Sequence, residues 1–218
     1  MKELRYTLVS DGSSDRALLP ILSWLLMGHQ VMCPIQAAWA NPGRLRNPPR
    51  TLASKIEWSL DFYPCDILFV HRDAEIRAER RSYQQRKDEI IGALANINLA
   101  QIPPICVVPV RMMEAWLLIN EAAIRRAAGN PNGETPLNIP NTANLEGIPD
   151  PKEVLHTLLR VASELRGRRL KRFEVRRSTG LVAEYIDDFA QLRRLPAFRA
   201  LEADIGETIT INQWAGPL

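Results

Sequence analysis

Short apolar segments alternate with longer amphipathic segments over the first two-thirds of the chain. Four apolar runs have the length of buried strands: Tyr6–Ser10, Val31–Ala38, Ile67–Val70 and Ile105–Val110. Apolar residues at helical spacing predict helices between and after them: Arg16–Met27, Leu52–Phe62, Glu79–Asn96 and Met112–Ala128. Because strands that alternate with helices typically form βαβ units, the pattern predicts an α/β domain whose mainly parallel sheet is flanked by helices.

The pattern changes after residue 128. The segment 129–150 is rich in proline and asparagine and lacks periodicity, which predicts a loop or linker. Amphipathic segments then predict three further helices: Pro151–Arg166, Leu181–Leu192 and Leu195–Ala203. The sequence therefore predicts an α/β domain over residues 1–128 and a small helical C-terminal extension, residues 151–218, that packs on it.

Composition narrows the class of protein. Hydrophobic residues make up 46% of the 218 residues, which is enough for a substantial core. No apolar run approaches the roughly 18 to 20 residues of a membrane span, and Met1–Arg5 leads into a strand without a signal-peptide core. The three cysteines, Cys33, Cys65 and Cys106, have no paired spacing. We expect a cytoplasmic protein with no membrane partner.

Basic residues are concentrated in one part of the extension. Residues 151–177 contain nine lysines and arginines but only three acids, which favours an anionic partner such as DNA or RNA. A solvated helix end is the alternative. A proline-rich loop after the second strand carries further cations, which could face the crevice beyond the carboxyl ends of the strands. The candidate nucleic-acid-binding residues are Arg44, Arg46, Arg50, Arg168, Arg169, Lys171, Arg172, Arg176 and Arg177.

Acidic residues follow two of the predicted strands directly. Asp11 and Gly12 come after the first strand, and Asp73 and Glu75 come after the third. Ligands in open α/β sheets bind beyond the carboxyl ends of the strands, so these carboxylates can converge there. Converging carboxylates are typical ligands of Mg²⁺. The pattern predicts a metal site formed by Asp11, Asp73 and Glu75, whereas Asp15 is expected to cap the following helix.

These motifs resemble those of the TOPRIM fold, which is shared by topoisomerases, bacterial primases and the overcoming-lysogenization-defect nucleases. Val9-Ser10-Asp11-Gly12-Ser13-Ser14-Asp15 is similar to the first TOPRIM motif, with Asp11 where Glu is usual. Asp73-Ala74-Glu75 is similar to the second, with Glu75 where Asp is usual. The resemblance covers roughly residues 4–118 and implies a Mg²⁺ or Mn²⁺ site with catalytic activity on nucleic acid.

Three more residues are candidates for the same site. Arg111 and Glu114 stand at the predicted turn from the fourth strand into a helix, and Glu–Ala–Trp–Leu–Leu at this point also looks like small bacterial TOPRIM-like proteins. His71 precedes Asp73 by two residues and could orient water. Glu114 could act as a metal ligand or support one, and Arg111 could offset phosphate charge.

The resemblance and the acids together imply a compact nuclease that cleaves phosphodiester bonds with a divalent cation, as in phage defence. A non-catalytic TOPRIM-like module that binds nucleic acid or a protein is one alternative. A small-molecule phosphohydrolase or phosphotransferase is another. A homodimer or a partner protein also remains open, and no P-loop motif is present.

Overall fold

A four-stranded, all-parallel sheet flanked by helices forms the centre of the protein, which confirms the predicted fold class. The computed structural model describes residues 3–74 and 82–215. The strands are β1 (Leu4–Val9), β2 (Ile35–Ala40), β3 (Ile67–His71) and β4 (Pro104–Val107). They are ordered β2-β1-β3-β4, and every pair is parallel.

Helices connect the strands and form the C-terminal part. The α-helices are α1 (Leu18–Gly28), α2 (Leu52–Phe62), α3 (Tyr83–Leu94), α4 (Glu121–Ala127), α5 (Pro151–Ala162), α6 (Gly167–Lys171), α7 (Val175–Glu184) and α8 (Pro196–Ile211). Short 3₁₀ helices cover Asp15–Ala17, Pro42–Arg44, Met113–Leu117, Thr142–Gly147 and Ala190–Arg194. None of the helices within the described ranges is long and apolar enough to span a membrane.

Two hydrophobic clusters lie on the two faces of the sheet. Successive strand residues point to opposite faces, so Ile67 and Phe69 enter one cluster while Leu68 and Val70 enter the other. The smaller cluster packs against α2 and α3. The larger one joins the sheet to α1 and to the helices after residue 112. The C-terminal helices therefore share the main core with the sheet.

Several predicted element boundaries were wrong. The second strand begins at Ile35 rather than Val31, after Pro34, which lacks a backbone N–H for the strand ladder. The predicted helix 112–128 is a 3₁₀ helix and α4, because Asn120 caps a new helix start by accepting from Ala123 N at 2.9 Å. The predicted helix 181–192 ends at Glu184, and α8 extends eight residues beyond its predicted end at Ala203.

The proline- and asparagine-rich segment 129–150 is packed against the protein. Asn130 Nδ2 donates to the carbonyl of Ala162 at 3.0 Å. The backbone N–H groups of Glu134 and Thr135 both donate to the carboxylate of Glu164, at 2.8 and 2.7 Å. Leu145 is fully buried in the main core. This segment leads directly into α5.

Candidate functional site: an acid cluster beside a cationic cleft

The strand order places two loops together at one edge of the sheet. β1 and β3 are adjacent, with Val9 opposite Val70, although β2 lies between them in the sequence. The chain leaves β1 in one direction, towards β2, and continues from β3 in the other, towards β4. Open α/β sheets bind ligands at such a switch point. The loops after Val9 and after His71 therefore meet where a site is expected.

Four titratable side chains come together at this edge, and we call them the acid cluster: Asp15, His71, Asp73 and Glu114. His71 Nε2 lies 3.5 Å from Asp73 Oδ1 and 3.8 Å from Asp15 Oδ1. Its other nitrogen, Nδ1, is 3.0 Å from the carbonyl oxygen of Val107. Because a carbonyl only accepts, Nδ1 carries the proton and donates it there. Nε2 therefore faces the two carboxyl groups.

Asp73 is the member of the acid cluster with the most perturbed acidity. Burial, together with the nearby charges of Asp15 and Glu114, raises the pKa of its carboxyl group to about 7, despite the lowering effects of His71 and of the Met113 N–H. That N–H donates to Asp73 Oδ1 at 2.9 Å. The side chain is still 25% exposed, so a ligand can reach it. A carboxyl group that titrates near neutral pH at a strand end is a candidate for chemistry.

Asp15 enters the acid cluster through a tight turn at Gly12. Its Oδ2 accepts from the Gly12 N–H at 2.8 Å, and the residue is buried. It does not cap the helix, since its 3₁₀ helix starts at Asp15 and has no side-chain cap. A Cβ at position 12 would lie 2.7 Å from the Asp15 carboxylate. A larger residue at this position would therefore displace the Asp15 carboxylate from its place in the acid cluster.

Asp11 lies at the same edge but is paired with cations. One carboxylate oxygen accepts from Lys55 Nζ at 2.6 Å, and the other contacts the guanidinium of Arg72. Arg72 also reaches Glu89 at 3.3 Å. The expected partner Glu75 lies outside the described residues. Asp15, and not the expected Asp11, therefore places its carboxylate beside Asp73.

Glu114 links the acid cluster to a large neighbouring cleft. Its side chain is only 2% exposed, and Lys152 Nζ lies 3.3 Å from its Oε1. This ion pair lacks hydrogen-bond geometry, so Oε1 accepts no hydrogen bond from any residue that the structure describes. Glu114 also forms part of the cleft wall. It therefore presents a buried carboxylate oxygen to whatever enters the cleft.

We call this neighbouring cavity, of about 950 Å³, the cationic cleft. It lies between the turn after β1 and the C-terminal helices α5 and α7. Two acids, Glu114 and Glu184, line it. Five basic side chains also line it: Arg16, Arg44, Lys152, Arg176 and Arg177. Such an excess of cations in a concave site favours an anionic ligand.

Two other side chains define the character of this cleft. Trp39 is held by a hydrogen bond from its indole N–H to Ser10 Oγ at 2.9 Å, and the guanidinium of Arg44 lies 5.1 Å from its ring centroid. Burial lowers the pKa of His156, and the positive charges of Arg160 and Lys152 lower it further. The cleft thus combines a fixed aromatic wall with positive potential.

The other predicted site residues lie outside the acid cluster and the lining of the cationic cleft. Arg111 Nε donates to the carbonyl of Glu146 at 3.3 Å, in the segment before α5. Arg111 has a left-handed backbone, with φ 67°. The remaining candidate cations are all exposed on the surface: Arg46, Arg50, Arg168, Arg169, Lys171 and Arg172.

Sequence reasoning missed several residues of this region. Arg16 and Lys152 line the cationic cleft, and Asp15 belongs to the acid cluster. Arg16 follows the Asp11–Asp15 motif, so its positive charge close to the end of a strand could have identified it. Lys152 belongs to the basic segment 151–177, whose excess of positive charge was already noted. The placement of Lys152 also depends on the packing of α5 against residues 113–117.

The donor chemistry of the acid cluster suits a divalent cation. Asp15, Asp73 and Glu114 offer hard oxygen atoms, and a cation would offset both the burial and the repulsion between carboxylates that raise the pKa of Asp73. Within residues 3–74 and 82–215, however, no three His, Cys, Asp or Glu side chains have the arrangement of a complete metal site. The donors fit Mg²⁺ by chemistry, and the described side chains would have to move closer to bind it.

Comparison with known proteins gives no matching family model, and no curated protein or solved structure matches the chain significantly.

Proposed function

We propose that this protein hydrolyses phosphodiester bonds of nucleic acid with the help of Mg²⁺ or Mn²⁺. The observation that carries the proposal is the acid cluster at the β1/β3 switch point, one member of which, Glu114, also lines the cationic cleft. Guanidinium and ammonium groups bind phosphate oxygens, and carboxylates bind the cation that phosphoryl transfer needs. The resemblance of the Asp11 and Asp73 motifs to TOPRIM nucleases supports the same activity.

The position of each residue suggests its role in the proposed reaction. Asp15 and Asp73 would hold the cation, which when bound stabilises charge on the phosphoryl oxygens and lowers the pKa of a water molecule. Nε2 of His71 faces both carboxyl groups, so it can hold a proton between them. Asp11 is neutralised by Lys55 and Arg72 and would keep the loop after β3 in place.

A small-molecule phosphohydrolase is the second candidate, and one observation favours it. The cationic cleft has a volume of about 950 Å³, at the upper end of the roughly 300 to 1,000 Å³ of small-ligand pockets. Phosphorylated small molecules therefore belong among the substrates in any assay.

Cleavage assays with single- and double-stranded DNA and RNA test the proposal. We expect cleavage with Mg²⁺ or Mn²⁺ that stops on chelation. Asp73→Asn keeps the acceptor for the Met113 N–H but removes the charge, and should lower the rate by about 100-fold or more. Asp61→Asn, the same change at an exposed position on α2, should have no effect.

Two results would contradict the enzymatic proposal. The first is cleavage that persists in Asp73→Asn, which would indicate a contaminating nuclease. The second is the absence of both cleavage and calorimetric binding of Mg²⁺ or Mn²⁺, which would leave a non-catalytic binding module. Hydrolysis of small phosphate esters alone would favour the second candidate.

A further inference from the structure

The geometry points to the cationic cleft as a site for a single nucleotide unit. Its phosphate group would lie among the arginine side chains, and a hydrogen-bond donor of its sugar or base would meet Glu114. This inference rests on the proposed function for the choice of a phosphate ester, and it names the unit of substrate that is recognised.

The positions of the basic side chains indicate which part of the cationic cleft would hold the phosphate group. Arg16 follows the Gly12–Ser14 turn, and Arg176 and Arg177 stand on α7, which packs against residues 15–17. These three guanidinium groups therefore line one cavity although they are about 160 residues apart in the sequence. Ser13 and Ser14 line the same cavity and add hydroxyl donors. Three arginines and two hydroxyls can satisfy the oxygen atoms of a phosphate group.

The donor end is set by Glu114. Its Oε1 is buried and, although Lys152 Nζ lies 3.3 Å away, it accepts no hydrogen bond from any described residue. A buried oxygen atom left without a hydrogen bond is costly. A ligand N–H or O–H group would satisfy it. The hydroxyls of inorganic phosphate belong to the group that the arginines would hold, whereas a nucleotide carries additional donors on its ribose and its base.

The aromatic wall suits the base. Trp39 is fixed by its bond to Ser10, so a base could stack on the indole without further ordering of the side chain. Stacking of a base on an aromatic side chain lowers the free energy of binding, because every base presents a flat π-face. Arg44, which lies over the same ring, could stack on the base or turn to the phosphate.

Calorimetric titration of the full-length protein in EDTA tests this site without catalysis. The ligands are 5′-GMP, 5′-dGMP, 5′-UMP and inorganic phosphate. We expect the best nucleotide to bind at least about tenfold more tightly than phosphate, since one added hydrogen bond to a charged group is sufficient for that ratio. Dependence on the ribose hydroxyl separates GMP from dGMP, and dependence on the base separates GMP from UMP.

Matched variants locate the binding. Arg176→Ala with Arg177→Ala should weaken nucleotide binding by about tenfold or more, through the loss of charge-assisted hydrogen bonds. Arg194→Ala with Arg199→Ala removes the same charge from exposed positions outside the cleft and should leave affinity unchanged. Gly180→Leu should weaken binding, because Gly180 lines the cleft and the added side chain would enter open space there, with no atom within 4 Å of its Cβ. This change also removes a glycine from the interior of α7, so the protein should stay folded.

Glu114→Met tests the donor end. The unbranched methionine fills the space of the glutamate but accepts hydrogen bonds poorly. The preference for a nucleotide over phosphate should disappear, while phosphate affinity persists. Should this variant fail to fold by circular dichroism, the arginine pair and Gly180→Leu still decide the question.

The inference is wrong if folded Gly180→Leu binds nucleotides like the parent, or if both arginine pairs weaken binding equally. It is also wrong if no mononucleotide binds while oligonucleotides are cleaved, and the proposed function then stands. Tight nucleotide binding without cleavage of any substrate is the opposite case, in which the inference holds and the nuclease proposal fails.

Discussion

The raised pKa of Asp73 should make the stability of the protein depend on pH. In the folded protein without a cation, burial beside Asp15 and Glu114 raises its pKa to about 7, against 3.8 for the ordinary group. The folded state therefore holds a proton that the unfolded state has lost between these two pH values. By linkage, the free energy of unfolding should fall as the pH rises from about 4 to about 7, by up to about 4 kcal/mol.

Urea unfolding of the parent and of Asp73→Asn in EDTA, at pH 4.5 and pH 8, measures this effect. Asparagine can still accept from Met113 and does not ionise, so the variant should gain stability relative to the parent at pH 8 and little at pH 4.5. Asp61→Asn serves as the control and should follow the parent. An equal stability difference at both pH values would show that Asp73 does not carry the pH dependence.

At the same scale, the sequence analysis assigned two neighbouring acids to different roles from those that their contacts indicate. Asp11 and Asp15 both follow β1, but Asp11 was predicted to be a metal ligand and Asp15 to be a helix cap. The difference depends on Lys55 and Arg72, which are 44 and 61 residues from Asp11 in the sequence and neutralise it. Pairing at such separations follows from tertiary packing, and the charge pattern near β1 does not encode it.

At the scale of elements, the start of α2 was predicted, whereas a helix start inside an apolar run was missed. The helix over Leu52–Phe62 was predicted with both ends correct, and Thr51 and Ser54 form a capping box at its start. The break in 112–128 depends on Asn120 as a cap within an apolar run, where periodicity alone favours one continuous helix. The amphipathic patterns predicted helices in the C-terminal part, but they did not indicate which core residues these helices pack against.

The start of α5 offers a test at this scale, because this helix carries Lys152 and His156 into the cationic cleft. Asp150 accepts from the Glu153 N–H at 2.9 Å, and Pro151 occupies the first turn. Asp150→Ala should lower the free energy of unfolding by about 1 kcal/mol through loss of this cap, whereas Asp150→Asn should retain most of it. Urea unfolding of both variants checks this. Equal destabilisation by both would assign the effect to the charge of Asp150 rather than to capping.

At the scale of the whole molecule, the sheet and the C-terminal helices depend on one core. Trp116, after β4, packs edge-to-face on Phe198 of α8, with ring centroids 5.3 Å apart. Both rings are fully buried, as is Phe189. The cationic cleft is formed across the same boundary, by the β1 turn and α7. Residues 151–215 thus complete both the core and the candidate site.

This shared core predicts that the two parts unfold together. Phe198→Ala should destabilise the protein by about 3–5 kcal/mol, through lost burial and the cavity left beside Trp116. Far-UV circular dichroism and tryptophan fluorescence should still report one coincident transition, because neither part retains a complete core without the other. Phe198→Leu, which keeps most of the buried volume, should cost clearly less.

A fragment of residues 1–150 should lack cooperative unfolding, since Trp116 and the main-core face of the sheet would be exposed to water. Cooperative unfolding of that fragment, or two separate transitions in the full-length variant, would instead identify residues 151–218 as an appended domain.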